Sequence, residues 1–350
     1  MKYQTPMRGL GLAGVLVLWV TLSWPGAAQA RKAAVTASAA QPSAAGLEQE
    51  IRGLAGLGTG SHGSIGVVAW RLDGTGPKAL VNADQPFPMA STFKVAVAGA
   101  VLHRVDRGEL SLEQMITIDP RRMVQSEVLA DRFIHPGVNL SVYNLLELML
   151  TQSDNTAADY MVEAAGGPAA VNAWVQTQGV QGLRVDGDTA HIIRRFMALP
   201  EGPIAEVMAA RHAADPNMDA ESWQPSASFD ADPRDTSTPL AMAQLLTRIF
   251  NGQALSAAST QILTQVMARC RTGVARLGGR MPAGTLLADK TGTIGGSVND
   301  VGVITLPRDA GQIVIVVFIR ASDASMDARQ RTIAEIGRSV RDYYLFQAQP

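Results

Sequence analysis

Three short motifs follow one another along the chain: Ser91-Thr92-Phe93-Lys94, Ser153-Asp154-Asn155 and Lys290-Thr291-Gly292. A serine hydroxyl is a weak nucleophile until a base takes its proton. Lys94 stands three residues after Ser91, so on a helix its amine returns to the same face. A lysine serves as that base only when burial or a nearby positive charge lowers its pKa. Pro86-Phe87-Pro88-Met89 resists helix on the N-terminal side. Ser91 therefore falls at a helix start, where developing negative charge is favoured. Ser153 and Lys290 are expected to complete a hydrogen-bonded relay that returns the proton to a leaving nitrogen. Asn155 is expected to orient a substrate amide, and Lys290 to draw a substrate carboxylate. Gly292 is expected to leave the strand edge open to a backbone-like substrate. The backbone N–H groups of Ser91 and Thr293 are the expected oxyanion donors. Singly, each motif also reads as a helix start, a helix cap or a strand end. In this order, on helix, helix and strand, they point to acyl transfer by a serine that relies on lysines.

Other chemistries find little footing. The five histidines (His62, His103, His135, His191 and His212) are scattered, without metal-like spacing and with nothing to recommend a Ser-His-Asp triad. Walker, Rossmann and Cys/His zinc motifs are absent. No metal and no cofactor is expected. Cys270 is the only cysteine, so no intramolecular disulfide can form; its helix-like surroundings (Ile262 to Cys270) read as a buried structural position.

The elements that must carry these residues follow from periodicity. Leu47 to Leu57 has helical spacing. Ser64 to Leu72 reads as a strand, followed by the turn Asp73-Gly74-Thr75-Gly76 and a short strand over Lys78 to Asn82, which together predict an antiparallel hairpin. From Ala90 to about Pro239 the pattern is helical, with helices over Thr92 to Arg107, Ser141 to Thr151 and Thr156 to Ala165. Pro239 to Phe250 and Ala257 to Arg271 are further helices. Strands return over Leu286 to Gly292, Val298 to Leu306 and Ile313 to Ile319, the last a β-branched run suited to a central strand. Met326 to Tyr343 reads as an amphipathic helix. The expected fold is a three-layer α/β sandwich, its antiparallel sheet built from both chain ends, with an inserted all-α subdomain. The expected boundaries are an α/β subdomain over 47–88 and 240–350 and the all-α subdomain over 89–239.

The chain has 350 residues, a formal net charge of −1, 47% apolar and 17% charged residues. That balance is globular and gives no basic excess for nucleic acid. Lys2 and Arg8, the apolar run Leu10 to Leu22 and Ala28-Gln29-Ala30 read as a secretory signal over residues 1–30, cleaved near Ala30. The run is shorter than the roughly 20 residues a membrane span needs, so no stable anchor is expected after cleavage. Residues 31–46, rich in Ala, Ser and Pro, read as a disordered linker. A monomeric secreted or periplasmic protein is expected.

The three motifs together are the established signature of class A β-lactamases and penicillin-binding proteins. Further matches lie in Phe87 to Lys94, Ser153 to Ala158, Gly166-Gly167-Pro168, Arg234-Asp235-Thr236, Met326-Asp327 and Ile333 to Gly337. On these residues the chain resembles the class A β-lactamases from Leu47 to Tyr344. The resemblance implies an α/β sandwich plus an all-α subdomain with the site between them. It implies Ser91 as the acylated nucleophile, Lys94 as an acylation base, Ser153 as proton shuttle, and Lys290 with Thr291 as carboxylate anchor. The expected substrate is a small-molecule β-lactam; the alternatives are a D-alanyl-D-alanine peptidase acting on peptidoglycan stem peptides, and a penicillin-binding sensor or trap that acylates and then stalls.

The chain departs from the family in its Ω-loop. The segment Gly182 to Ala190 lacks the family's Glu-Pro, whose glutamate activates the deacylating water, and Gly187 stands about where a salt-bridging arginine is expected. Asp188 is the nearest substitute base. Asp235 is left with Arg184, Arg194 or Arg195 as partner, and the segment from His191 to Pro233 is longer than usual. The strand Val301 to Thr305 lacks the family's carboxylate-binding arginine, for which Arg320 is the candidate replacement.

Overall fold

The computed structural model describes residues 44–347 apart from 127, 134 and 216–222. The expected signal peptide and residues 31–43 of the expected linker lie outside the described residues. The rest of that linker is already structured: Ala44 is buried and helix α1 (Ala45–Thr59) begins there, because Leu47 and Ile51 need its first turn to reach the sheet.

Strands β1 (Ser64–Arg71) and β2 (Ala79–Val81) form the expected hairpin. A two-residue strand β3 (Phe87–Pro88) leads into a 3₁₀ turn over Ala90–Phe93 and helix α2 (Lys94–Asp106). The sequence predicted one helix from Thr92; the tighter turn before it is what lets Ser91 face outward. The helical segment then carries α3 (Leu129–Arg132), α4 (Val142–Thr151), α5 (Asn155–Ala164), α6 (Pro168–Thr177), α7 (Thr189–Met197), α8 (Ile204–Ala214) and α9 (Ala227–Asp230). It also holds a small antiparallel ribbon, β4 (Met115–Thr117) with β5 (Asn139–Ser141), whose period was hidden by its short length. Strand β6 (Thr236–Ser237) returns to pair with β3. Helices α10 (Pro239–Phe250) and α11 (Ala257–Met267) precede β7 (Leu286–Ile294), β8 (Ser297–Thr305) and β9 (Gln312–Arg320), and α12 (Met326–Gln347) follows.

The main sheet is antiparallel in the order β2-β1-β9-β8-β7, so strands from both ends of the described chain meet at β1 and β9. Both of its faces are covered, which is why β9 reads as an unbroken apolar run. Ile313, Ile315, Val317 and Ile319 face α1 and α12, where Ile333, Ile336, Val340 and Tyr344 complete the layer. Val314, Val316 and Phe318 point the other way, into a core shared with α2, α10 and α11. No described helix is long and apolar enough to cross a membrane.

Candidate active site

The 3₁₀ turn that carries Ser91 is fixed from two sides. Asn299 on β8 donates its side-chain amide to the carbonyls of Pro88 (2.8 Å) and Met89 (3.0 Å) and accepts the Ile319 N–H (3.1 Å). On β7, a Cβ placed on Gly292 would stand 2.5 Å from the Met89 carbonyl and 3.1 Å from the Ser91 nitrogen. Gly292 is thus required by the close approach of β7 to the nucleophile-bearing backbone. Ala90, next to Ser91, is held at φ +46°, and Ser153 at φ +56°. Left-handed backbone at non-glycine residues costs of order 1–3 kcal/mol and persists only where packing imposes it.

Ser91 lines a cleft of about 660 Å³. Its other walls are Gln125 and Ser126 before α3, Gln152 and Ser153 between α4 and α5, Asn155 at the start of α5, and Thr291, Thr293 and Ile294 of β7. Ile192, Phe196 and Met197 of α7, Met208 of α8 and Trp223 make one side apolar. Ser91, Ser153, Asn155, Thr291 and Thr293 therefore meet in one cleft, as the motifs predict. Thr293 belongs to the strand itself, since β7 runs on two residues past Gly292.

Beneath the cleft lie two fully buried lysines. Lys94 Nζ donates to the Ser153 carbonyl (2.7 Å), Ser153 Oγ (3.3 Å) and Asn155 Oδ1 (2.9 Å). Lys290 Nζ donates to Ser153 Oγ (2.9 Å) and the Thr291 carbonyl (2.7 Å). Burial holds Lys94 well below the usual ammonium range, the charge of Lys290 adds to this, and Asp154 and Asp159 oppose it. Burial likewise brings Lys290 down to about 8. An amine one turn from Ser91 whose charged form is disfavoured by burial can take a hydroxyl proton, and Ser153 Oγ links it to the second amine. Asn155 Nδ2 donates to the Gln125 carbonyl (2.8 Å), which leaves one amide N–H for a ligand. Asp154 has no such freedom: its carboxylate accepts from Ser126 Oγ, Leu129 N and Ala157 N, so it caps α5 and ties down the cleft-lining loop.

Two candidates named from the sequence fall elsewhere. Arg320 does not line the cleft. Its guanidinium donates to Ser64 Oγ (3.0 Å) and the Pro86 carbonyl (2.7 Å) and stacks over Phe87. The guanidinium on the cleft wall is instead Arg276, a residue the sequence reading did not single out. It is buried and donates to the carbonyls of Gly292 (3.1 Å) and Asn299 (2.9 Å) and to Thr293 Oγ1 (2.6 Å). Asp188 is turned from the cleft as well, capping α7 through the His191 N–H (2.9 Å) and His191 Nδ1 (2.7 Å). Thr189, the next residue, faces the cleft in its place.

The Ω-loop segment is tied down by acids. Asp235 pairs with Arg195, which settles its open partner, and accepts the N–H groups of Asp186 (2.7 Å) and Gly187 (3.1 Å). Arg184 turns instead to Asp186, and Arg194 to the carbonyls of Pro200 and Gly202. Asp159 on α5, also absent from the sequence reading, accepts the N–H groups of Thr189 (2.6 Å) and Ala190 (3.2 Å). An acid at the end of the run Thr156-Ala157-Ala158, one turn past Asn155, was the available signal. Cys270 lies just beyond α11 rather than on it, facing Thr272, and burial pushes its thiol up to about 11.

Comparison with known proteins agrees with this geometry. The model of the β-lactamase enzyme family matches residues 46–344. The extended-spectrum β-lactamase PER-1 of Pseudomonas aeruginosa is 29% identical over 294 residues, 82% of this chain and 84% of its own length. The solved structure of a class A β-lactamase of the last common ancestor of Gram-negative bacteria is 32% identical with a TM-score of 0.69, covering 85% of this chain and 99% of that one. A β-lactamase from Chitinophaga pinensis is 28% identical with a TM-score of 0.68, over 85% and 99%. Sequence, fold and the lysine-bracketed serine agree that the chain belongs to the β-lactamase enzyme family and is a serine hydrolase with the class A architecture.

Proposed function

We propose that this protein opens the cyclic amide of β-lactams through an acyl-enzyme on Ser91. The observation that carries the reading is the pair of buried lysines meeting at one serine hydroxyl beneath a cleft-lining Ser91. Lys94, whose charged form is disfavoured by burial, takes the Ser91 proton as the hydroxyl oxygen attacks the lactam carbonyl. The tetrahedral adduct is met by the N–H groups of Ser91 and Thr293. As the C–N bond breaks, Ser153 passes its proton to the leaving nitrogen and takes the one held by Lys94, 3.3 Å away, and the Ser91 ester remains. Lys290, Thr291 and Arg276 hold the substrate carboxylate. The protein acts as a monomer, secreted or periplasmic, after removal of a signal segment ending near Ala30.

Intact mass spectrometry with benzylpenicillin, sampled from seconds to hours, tests this. A penicilloyl adduct that forms and decays while drug is consumed, and that is lost in Ser91→Ala, is the expected result. Undiminished hydrolysis by Ser91→Ala overturns it. A second reading, a sensor or trap that acylates and stalls, is favoured by one observation: the segment Gly182 to Ala190 presents Thr189 to the cleft and contains no glutamate. A persistent adduct would establish that reading instead.

A further inference from the structure

We propose that Thr189 and Asp159 together replace the missing Ω-loop glutamate, the Thr189 hydroxyl taking a proton from the attacking water and passing its own to the Asp159 carboxylate. The proposal rests on the acyl-enzyme reading above.

Three observations converge on this pair. Thr189 lines the same cleft as Ser91 yet is only 6% exposed, so its side chain stands between the cleft and the protein interior. Asp159 is fixed directly behind, its two oxygens accepting the N–H groups of Thr189 and Ala190, and the Thr189 hydroxyl lies against the same carboxyl. Asp188, by contrast, is used up as a cap. The surroundings also suit Asp159 to accept a proton near neutrality. Burial, with Asp188 adding to it, pushes its carboxyl up to about 7. Lys94 from α2 and Arg122 from the turn before α3 face it as well, each of them held more strongly protonated by it. A base poised near the working pH is the most effective one.

The step balances within the protein. One O–H bond of the water breaks as its oxygen joins the ester carbonyl carbon. Thr189 Oγ receives that proton while its own goes to Asp159. The adduct then collapses, the bond from carbon to Ser91 Oγ breaks, and the Ser91 oxygen takes the proton back along the same relay. The product leaves as a carboxylic acid and ionises.

The test is adduct lifetime with benzylpenicillin, followed by intact mass in the unaltered protein, Thr189→Val, Thr189→Ser and Asp159→Asn, with drug consumption measured alongside. Thr189→Val keeps the shape, so its adduct should still form but decay about 100-fold more slowly, the low end for a lost general base. Thr189→Ser should restore decay. In the unaltered protein, decay should rise with pH through about 7, and Asp159→Asn should abolish that rise, an effect a merely structural carboxyl would not produce. Unchanged decay in Thr189→Val overturns the relay. A persistent adduct in the unaltered protein overturns it too, while leaving acylation by Ser91 standing. Neither adduct nor consumption would overturn both.

Discussion

The hydroxyl of Ser153 lies between two buried amines, 3.3 Å from Lys94 Nζ and 2.9 Å from Lys290 Nζ. Two full positive charges at such a spacing repel strongly in a medium that water does not reach. The arrangement therefore favours one charged and one neutral lysine. Burial and the charge of Lys290 both hold Lys94 below its ordinary range, and burial brings Lys290 down to about 8.

A pH dependence follows with a definite sign. Lys290 is charged below about 8 and neutral above it. With a carboxylate-bearing substrate, kcat/KM should fall on the alkaline side of that value, chiefly through a rising KM. A steady-state pH series checks this, since kcat/KM reports the free enzyme. A kcat/KM flat to pH 10 would contradict the assignment.

Gly292→Ala should damage both stability and acylation. Its Cβ would meet the Met89 carbonyl at 2.5 Å, a backbone atom held in turn by Asn299. Overpacking of this kind costs about 1–3 kcal/mol, and the strain falls on the turn that aims Ser91. Thermal melts and the rate of adduct formation measure the two effects together.

Arg276 and Arg320 should separate cleanly. Arg276→Ala removes a guanidinium from the cleft wall and the support of Thr293, so KM for carboxylated β-lactams should rise about tenfold, the worth of one charge-assisted hydrogen bond. Arg320→Ala removes a guanidinium bonded to Ser64 and Pro86, outside the cleft. It should leave KM unchanged and only lower the melting temperature.

Asn299→Ala should act at a distance from substrate. It strips two buried carbonyls of their donor, costing about 1–3 kcal/mol. Acylation should slow while KM changes little, because the turn loosens without any loss of a ligand contact. Pre-steady-state adduct formation distinguishes this from a binding defect.

The parts of the site that were legible in the sequence are those written on one element each. Ser91 and Lys94 share a turn, Ser153 to Asn155 is a helix cap, and Lys290 to Gly292 is a strand segment, so spacing alone carries their relation. The unbroken β-branched run of β9 and the helical period of α12 carried the sheet and one covering layer in the same way. Arg276, Asn299 and Asp159 were not legible, because each acts on an element remote in sequence. Arg276 sits in a glycine-rich stretch with no period, and its partners lie on β7 and β8. Asp188 misled for a related reason: an acid before a helix is as readily a cap as a base, and only the direction of its side chain decides. For Gly292 the close approach to the Met89 carbonyl was not legible, because Met89 lies far from it in the chain.

The meeting of β1 with β9 sets an order of events during synthesis. Ser64 and Arg320 are partners across the sheet although 256 residues separate them. Closing so long a loop precedes any return from the contacts it makes. A ribosome that has made the serine motif, the helical segment and even Lys290 still holds a chain whose sheet lacks its middle strand. Until Gln312–Arg320 emerges, β1 and β8 each present a bare edge to any passing strand. The strand Gln312–Arg320 is therefore the piece that joins the sheet's two halves, and the site between them is complete only once it is in place.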